Sequence, residues 1–434
     1  MQNNQETQSA LERRIDMSVP VADIDKEVEN RLKRMARSVK MPGFRPGKVP
    51  LKIVAQTYGD QARSEAIGAA VEKAFTQKVR EQNLRIAGSP QIEPKEGGDN
   101  DVLQFSAVFE VYPEVKLGDL SAQKIERPIL SVGDAEVDKT IEVLRKQRTT
   151  FVVAEREAQE GDRVVIDFLG RKDGEPFEGG RAEDFPVVIG AGAMLKDFEA
   201  AVQGLKAGES KTFDMTFPDD YHAEQLAGQS VQFDVTVKRV EAPVLPEIDA
   251  DFARALGVAD GDVAKLRDEV RSNLEREVKR RVQARVKEQV MNALLEVTPI
   301  DVPKALIDAE SRQLADNARR DLEMRGMSAE DIPVEPAWFA EQAERRVKLG
   351  LIMAEAVKAN ELFAKPEQVR TLVEEMAQSY EDPSELVRWY YAQPERLSQA
   401  EAVVIEDNVV DWVVTQAETT DKEISFDELM GNAA

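Results

Sequence analysis

The chain has 434 residues, enough for about three domains with cores of their own. Its 58 Lys and Arg against 82 Asp and Glu leave a formal charge of −24, which repels nucleic acid on average, so any RNA contact needs a local basic island. Cysteine is absent and His222 is the sole histidine, which excludes disulfides, thiol nucleophiles, iron–sulfur clusters and multi-histidine metal sites.

Charged residues at 32% with aromatics at only 6% point to long solvated helices. Residues 1–10 are polar, with no apolar core of the secretory kind, and no apolar run approaches the roughly 20 residues that span a bilayer. A soluble cytoplasmic chain with no membrane contact is the expectation.

Residues 11–112 mix strands and helices. Residues 11–20 and 102–111 alternate apolar and polar positions and predict two strands. Between them Asp23 is placed to cap a helix with Ile24, Val28, Leu32 and Met35 on one face. A second helix is predicted over 60–82 from Ile67, Val71, Phe75 and Val79. Residues 113–160 read as a connector with a strand at 124–130 and a short helix opened by Asp134.

From 161 to 243 short β runs at 164–169, 209–217 and 231–240 alternate with glycine-rich turns. Eight of the 16 phenylalanines fall between Phe151 and Phe233, which predicts a small β domain with an aromatic interior. Residues 247–434 are helical throughout. Val263, Leu266, Val270, Leu274, Val278, Val282, Val286, Val290 and Leu294 mark a long rod, and further helices are expected after Pro303, Pro336, Pro366, Pro383 and Pro394. Residues 419–434 read as a loosely held tail. The expected fold class is multidomain α+β: an α+β domain at 1–112, the connector at 113–160, a small antiparallel β-rich domain at 161–243, and an extended all-α domain with long arms at 247–434.

One segment breaks the acidic texture. No acid occurs between Arg31 and Gly59, yet Arg31, Lys33, Arg34, Arg37, Lys40, Arg45, Lys48 and Lys52 all do. Two glycines and three prolines within residues 42–50 enforce a tight loop, presenting Phe44 beside Arg45. A charge run is ordinarily a solvated face; an apolar ring beside a planar donor on a stiff loop favours docking instead.

Gly43-Phe44-Arg45-x-Gly47-x-x-Pro50 resembles the ribosome-docking signature of the bacterial trigger factors at all five fixed positions. The resemblance implies that Gly43, Phe44, Arg45, Pro46, Gly47, Lys48 and Pro50 attach the chain to the large ribosomal subunit at the exit tunnel, touching a rim protein and rRNA. The middle block resembles the FK506-binding (FKBP) class of peptidyl-prolyl isomerases. The carriers are Val164-x-Ile166-x-Phe168-x-Gly170, then Gly174-x-x-Phe177-x-Gly179-Gly180, Phe185, Val188-x-Gly190 and Gly204-x-x-x-Gly208. It implies a pocket of Phe168, Phe177, Phe185, Met194, Leu195, Phe198, Phe217, Tyr221, His222 and Phe233, with the Leu195 N–H offered to the substrate carbonyl. His222 reads equally as a catalytic neighbour of Tyr221 and as a satisfied structural residue.

Three departures from the isomerase class, Phe198 for Trp, Phe168 for Tyr and Glu178 for Asp, are common in trigger factors. Asp197 in place of glycine predicts an altered turn feeding Leu195. The helical block resembles the trigger factor arms in position and texture. It implies a cradle for nascent and unfolded polypeptides, with Met291, Met324, Met327, Met353 and Met376 as adaptable contacts. The family also implies links to protein export and cell division, and a homodimer when off the ribosome. No Gly-x-x-x-x-Gly-Lys-Ser/Thr loop is present, so no nucleotide, and no other cofactor or metal, is expected. The function expected is an ATP-independent, partly ribosome-associated chaperone that isomerises X–Pro bonds. The alternatives are a stand-alone isomerase whose helical arms choose partners and a structural ribosome factor.

Overall fold

The computed structural model describes residues 10–42, 44, 49–95, 101–221, 223, 225–327, 333–378, 380 and 382–431. In chain order the elements begin with β1 (Glu12–Pro20), α1 (Val21–Ser38), α2 (Leu51–Glu81), β2 (Ile86–Lys95), β3 (Val102–Val111), β4 (Lys124–Ile129) and α3 (Asp134–Gln147). Next come β5 (Thr150–Val153), β6 (Arg163–Lys172), β7 (Glu175–Val188), α4 (Lys196–Val202), β8 (Ser210–Thr216) and β9 (Ser230–Val244). Then follow α5 (Ala250–Ala255), α6 (Val263–Val297), α7 (Lys304–Met324), a 3-10 turn (Pro336–Phe339), α8 (Ala340–Asn360) and α9 (Pro366–Ala377). The chain closes with α10 (Pro383–Tyr391), α11 (Pro394–Gln416), β10 (Glu418–Glu423) and α12 (Phe426–Met430). It divides into two compact units, Met1–Pro128 with Ala284–Lys422, and Ile129–Gln283 with Glu423–Ala434.

In the first unit β1, β3 and β2 form an antiparallel sheet in that spatial order. Ile15, Met17 and Val19 of β1 alternate inward with Ala107, Phe109 and Val111 of β3, and α2 covers them with Ala66, Val71 and Phe75. Phe75 meets Phe109 edge-on at 5.2 Å. Two predicted boundaries move. α1 starts at Val21 after an extended Pro20, so Asp23 lies in its first turn, where a carboxylate suits the helix dipole, and is not the cap. α2 starts at Leu51, nine residues before the predicted start, because Pro50 sets an extended entry and Val54 is fully buried under α1. β2 is an additional strand; Gly88, Pro90 and a register shift between Ala87 and Gln91 hide its alternation.

The helices of this unit start where the prolines put them. Pro366, Pro383 and Pro394 are the first residues of α9, α10 and α11, Pro303 immediately precedes α7, and Pro336 opens the turn leading into α8. Val290, Met291 and Leu294 of α6 are buried, so their apolar rows serve packing. The tail is held, contrary to expectation: β10 pairs with β4, and Arg127 meets Asp421 at 2.7 Å. An acidic end is fixed by the cations it finds.

In the second unit β5, β9, β6 and β7 form a sheet, with β8 also on β9. Thr150–Val153, from the stretch read as a connector, pairs with Val244–Glu241. The β6–β7 hairpin turns on Asp173 and Gly174, both at positive φ (53° and 88°), between the paired Lys172 and Glu175. Two left-handed residues suit the right-handed twist of a hairpin. Val137 and Ile141 of α3 share a second core with Phe252, Val258, Leu266 and Val270. Ile424 and Leu429 are buried against Val278, which anchors α12.

Candidate functional site

The aromatic interior expected of the middle block lies on one face of the β6–β9 sheet, closed by α4. Phe168 comes from β6, Phe177 and Phe185 from β7, Phe198 from α4, Phe217 from just past β8, and Phe233 from β9. Phe198 lies at the centre, 1% exposed, with its ring edge-on to Phe168 at 5.6 Å and Phe233 at 5.3 Å. Phe177 lies 6.0 Å from Phe233 and 6.3 Å from Phe217, and Phe217 packs on Tyr221 at 4.5 Å. Phe185 is the outward member, 40% exposed and 5.9 Å from Phe168. Met194 and Leu195 pack against the same cluster. The structure thus brings together nine of the ten expected pocket residues, while His222 lies outside the described residues. Phe213 stacks on Phe233 at 6.0 Å.

Two glycines make room for the Phe177 ring. A Cβ on Gly170 would lie 2.6 Å from Phe177 and 2.7 Å from Phe233, and one on Gly180 would lie 2.9 Å from Phe177. Any larger residue displaces the ring.

The turn before α4 differs from the expectation raised by Asp197. Leu195 is extended at φ −61° and ψ 141°, and Asp197 is helical in the first turn of α4, so no glycine is required there. The Leu195 N–H has no acceptor among the described residues. Sequence reasoning missed Glu199. Its buried carboxylate accepts the Gly190 N–H at 3.0 Å and the Met194 N–H at 3.3 Å, pinning the loop that delivers Met194 and Leu195. A Glu in the first turn of a helix carries no distinguishing pattern in sequence.

Behind the rim, the Asp167 carboxylate accepts the Asp184 N–H at 2.8 Å and an ion pair from Lys238 at 3.0 Å. The first contact, then the second, holds its carboxyl below the ordinary value of 3.8, and the Asp184 carboxylate, 2.9 Å from Lys238, followed by that of Asp167, raises Lys238. A depressed carboxyl stabilises the fold fully above its unfolded value and loses that contribution as pH falls through its folded value. Asp167→Asn keeps an acceptor for the Asp184 N–H but removes the charge. The melting temperature of the wild type is therefore expected to exceed that of the variant at neutral pH, with the gap closing below about pH 4, in thermal melts taken across that range. A gap independent of pH counts against this assignment.

The basic loop joins α1 to α2. Phe44 is 37% exposed, and Val49 and Met41 anchor the flanks among Leu32, Val54 and Tyr58. Gly43, Arg45, Pro46, Gly47 and Lys48 lie outside the described residues, and Pro50 is the extended residue entering α2. The island is less uniform than its sequence. Arg31 pairs with Glu27 and Glu65, Arg34 with Glu27, and Lys33 with Glu29, acids lying outside the acid-free window. Arg37, Lys40 and Lys52, nearest the loop, have no ion pair among the described residues. Within the island, the described cations without an ion pair are those on the two sides of the loop.

In the first unit, Met324 at the end of α7, Met327 just past it and Met376 on α9 are exposed as expected, but Met291 is buried and Met353 half-buried. Exposed aromatics are the larger surface: Trp338 at 62%, Phe363 at 58% and Tyr380 at 59%. Trp338 lies in the 3-10 turn before α8, Phe363 between α8 and α9, and Tyr380 between α9 and α10, so these rings mark helix junctions, a feature visible only once the element ends are known.

Three known families match consecutive stretches of the chain. Residues 1–144 match the bacterial trigger factor protein family, 154–238 the FKBP-type peptidyl-prolyl cis-trans isomerase family, and 262–415 the bacterial trigger factor C-terminus. The chain is 78% identical to the trigger factor of Aromatoleum aromaticum and 76% identical to that of Azoarcus sp. strain BH72, each over 100% of both chains. It is 60% identical to the trigger factor of Dechloromonas aromatica over 97% of both.

Proposed function

The chain belongs to the trigger factor family and carries an FKBP-type peptidyl-prolyl isomerase domain, and from that premise we propose that it docks at the ribosomal exit tunnel, holds emerging polypeptide open and turns X–Pro bonds in the pocket around Phe198. The observation that supports the isomerase part is the gathering of nine apolar and aromatic residues into one packed cluster, with Phe185 exposed at its edge and no carboxylate or amine among them. Rotation about an X–Pro bond faces a barrier of about 18–20 kcal/mol because twisting breaks amide resonance. The twisted amide is less dipolar than the planar one, so a water-poor aromatic recess favours it over the ground state. The Leu195 N–H, left without an acceptor among the described residues, is placed to hold the substrate carbonyl while the proline ring sits against Phe198.

Exposed Trp338, Phe363, Tyr380 and Met376 support the holding activity. Apolar groups spread over helix junctions and a helix face, in a chain of charge −24, bind unrelated segments broadly while remaining dispersed. A deletion separates this reading from the stand-alone isomerase. Thr150 and Val244 are cross-strand neighbours, so removing 151–243 joins two positions already side by side. The shortened protein is expected to suppress aggregation of an unfolded client at least half as well as the full chain, by light scattering, while losing all isomerase activity. Loss of both activities in a folded deletion protein supports the stand-alone isomerase.

A further inference from the structure

Resting on the pocket reading above, we infer that Asp167 and Lys238 are positioning residues that set the rim aromatic Phe185 by clamping a strand bulge. β7 and β6 pair Phe185 with Ile166 and Ala182 with Phe168, so Glu183 and Asp184 together oppose the single residue Asp167. β9 carries an extra residue one step back along β6: Val237 pairs with Ile166 and Arg239 with Val165, leaving Lys238 as the bulge. Two bulges therefore flank Ile166 of β6; the one in β7 presents the Asp184 N–H to the Asp167 carboxylate, and the one in β9 presents the Lys238 ammonium. Lys238 bridges both carboxylates, Asp167 at 3.0 Å and Asp184 at 2.9 Å, and Asp167 takes the Asp184 N–H at 2.8 Å.

The bulge decides which side chains face the pocket. Side chains alternate along a strand, so a regular β7 cannot turn Ala182 and Phe185, three residues apart, to one face. With the bulge, Ala182 lies beside Phe168 and Phe185 beside Ile166 on that face. The geometry has a cost: Asp184 sits at φ 53°, a conformation that disfavours an L residue other than glycine. The Asp167 acceptor and the Lys238 cation offset it. Without them β7 regains freedom to slip, and Phe185 leaves the rim while Phe198 and Phe233 keep the floor.

Phe185 is the exposed member of the cluster, and on this reading it grips the peptide equally in ground and transition states, the case in which its loss raises KM alone. Asp167→Ala is expected to raise KM for a prolyl peptide about fivefold with kcat nearly unchanged, the pattern of lost uniform binding. Adding Asp184→Gly should restore KM, because glycine holds a positive φ without the clamp. A merely structural Asp167 would give no such rescue. Should Asp167→Ala fail to fold, Lys238→Met tests the same clamp with the same expected rise in KM. Phe185→Ala calibrates the rim. If it raises KM while the clamp variants do not, or if glycine fails to rescue, the positioning role is overturned and the pocket stands. If Phe185→Ala itself leaves KM unchanged, the rim is misassigned and the pocket reading fails with it.

Discussion

Phe198→Ala is expected to lower kcat/KM for a prolyl peptide by at least about tenfold, or 1.4 kcal/mol of transition-state stabilisation, and to destabilise its domain by about 3–5 kcal/mol. The second effect follows from burial: the ring is 1% exposed and touches Phe168, Phe213 and Phe233 within 5.6 Å. A loss of that size is a large part of an ordinary domain stability of about 5–15 kcal/mol, so activity belongs at low temperature with folding checked by circular dichroism. Phe198→Leu separates the two effects. It retains most apolar volume, so the domain should remain folded, yet it removes the flat ring on which a proline rests. A Phe198→Leu protein with wild-type kcat/KM means that the ring is core alone. Holding of unfolded clients should be unaffected in both variants.

Periodicity made the scaffold legible in sequence. The prolines 303, 336, 366, 383 and 394 announced the starts of five helical segments, because a ring that fixes φ and lacks an N–H suits an entry and little else. The glycine and phenylalanine spacing announced the pocket face, and Gly170 and Gly180 turn out to yield space to the one ring they flank. What stayed hidden depends on partners distant in sequence. β2 lost its alternation to a bulge, and the tail appeared loose until Arg127 and Lys139 supplied its cations. Glu199 and Asp167 carry no mark in the sequence, because backbone N–H groups distant from them or across the sheet define their roles. The acid-free window overstated the basic island for the same reason, since Glu27, Glu29 and Glu65 reach into it from outside.

That neutralisation sharpens the second large effect. The protein with Phe44→Ala and Arg45→Ala is expected to lose co-sedimentation with ribosomes by at least about tenfold in affinity, and its melting temperature should be unchanged. Phe44 is exposed at 37%, so its loss removes no core contact, whereas a docked aromatic beside an arginine is the usual centre of an interface. Salt then distinguishes the contributors. Every phosphate neutralised adds about −0.7 to −0.9 to the slope of log affinity against log salt. Lys40→Ala and Lys52→Ala, cations without ion pairs among the described residues, should each flatten that slope, while Arg34→Ala, already paired to Glu27, should leave it nearly as it was. An Arg34 effect equal to that of Lys40 means that the whole helix face meets RNA and the loop is incidental. A double loop variant that still pellets with ribosomes removes the docking assignment altogether. The pocket would then act on whatever client the helices deliver, away from the tunnel.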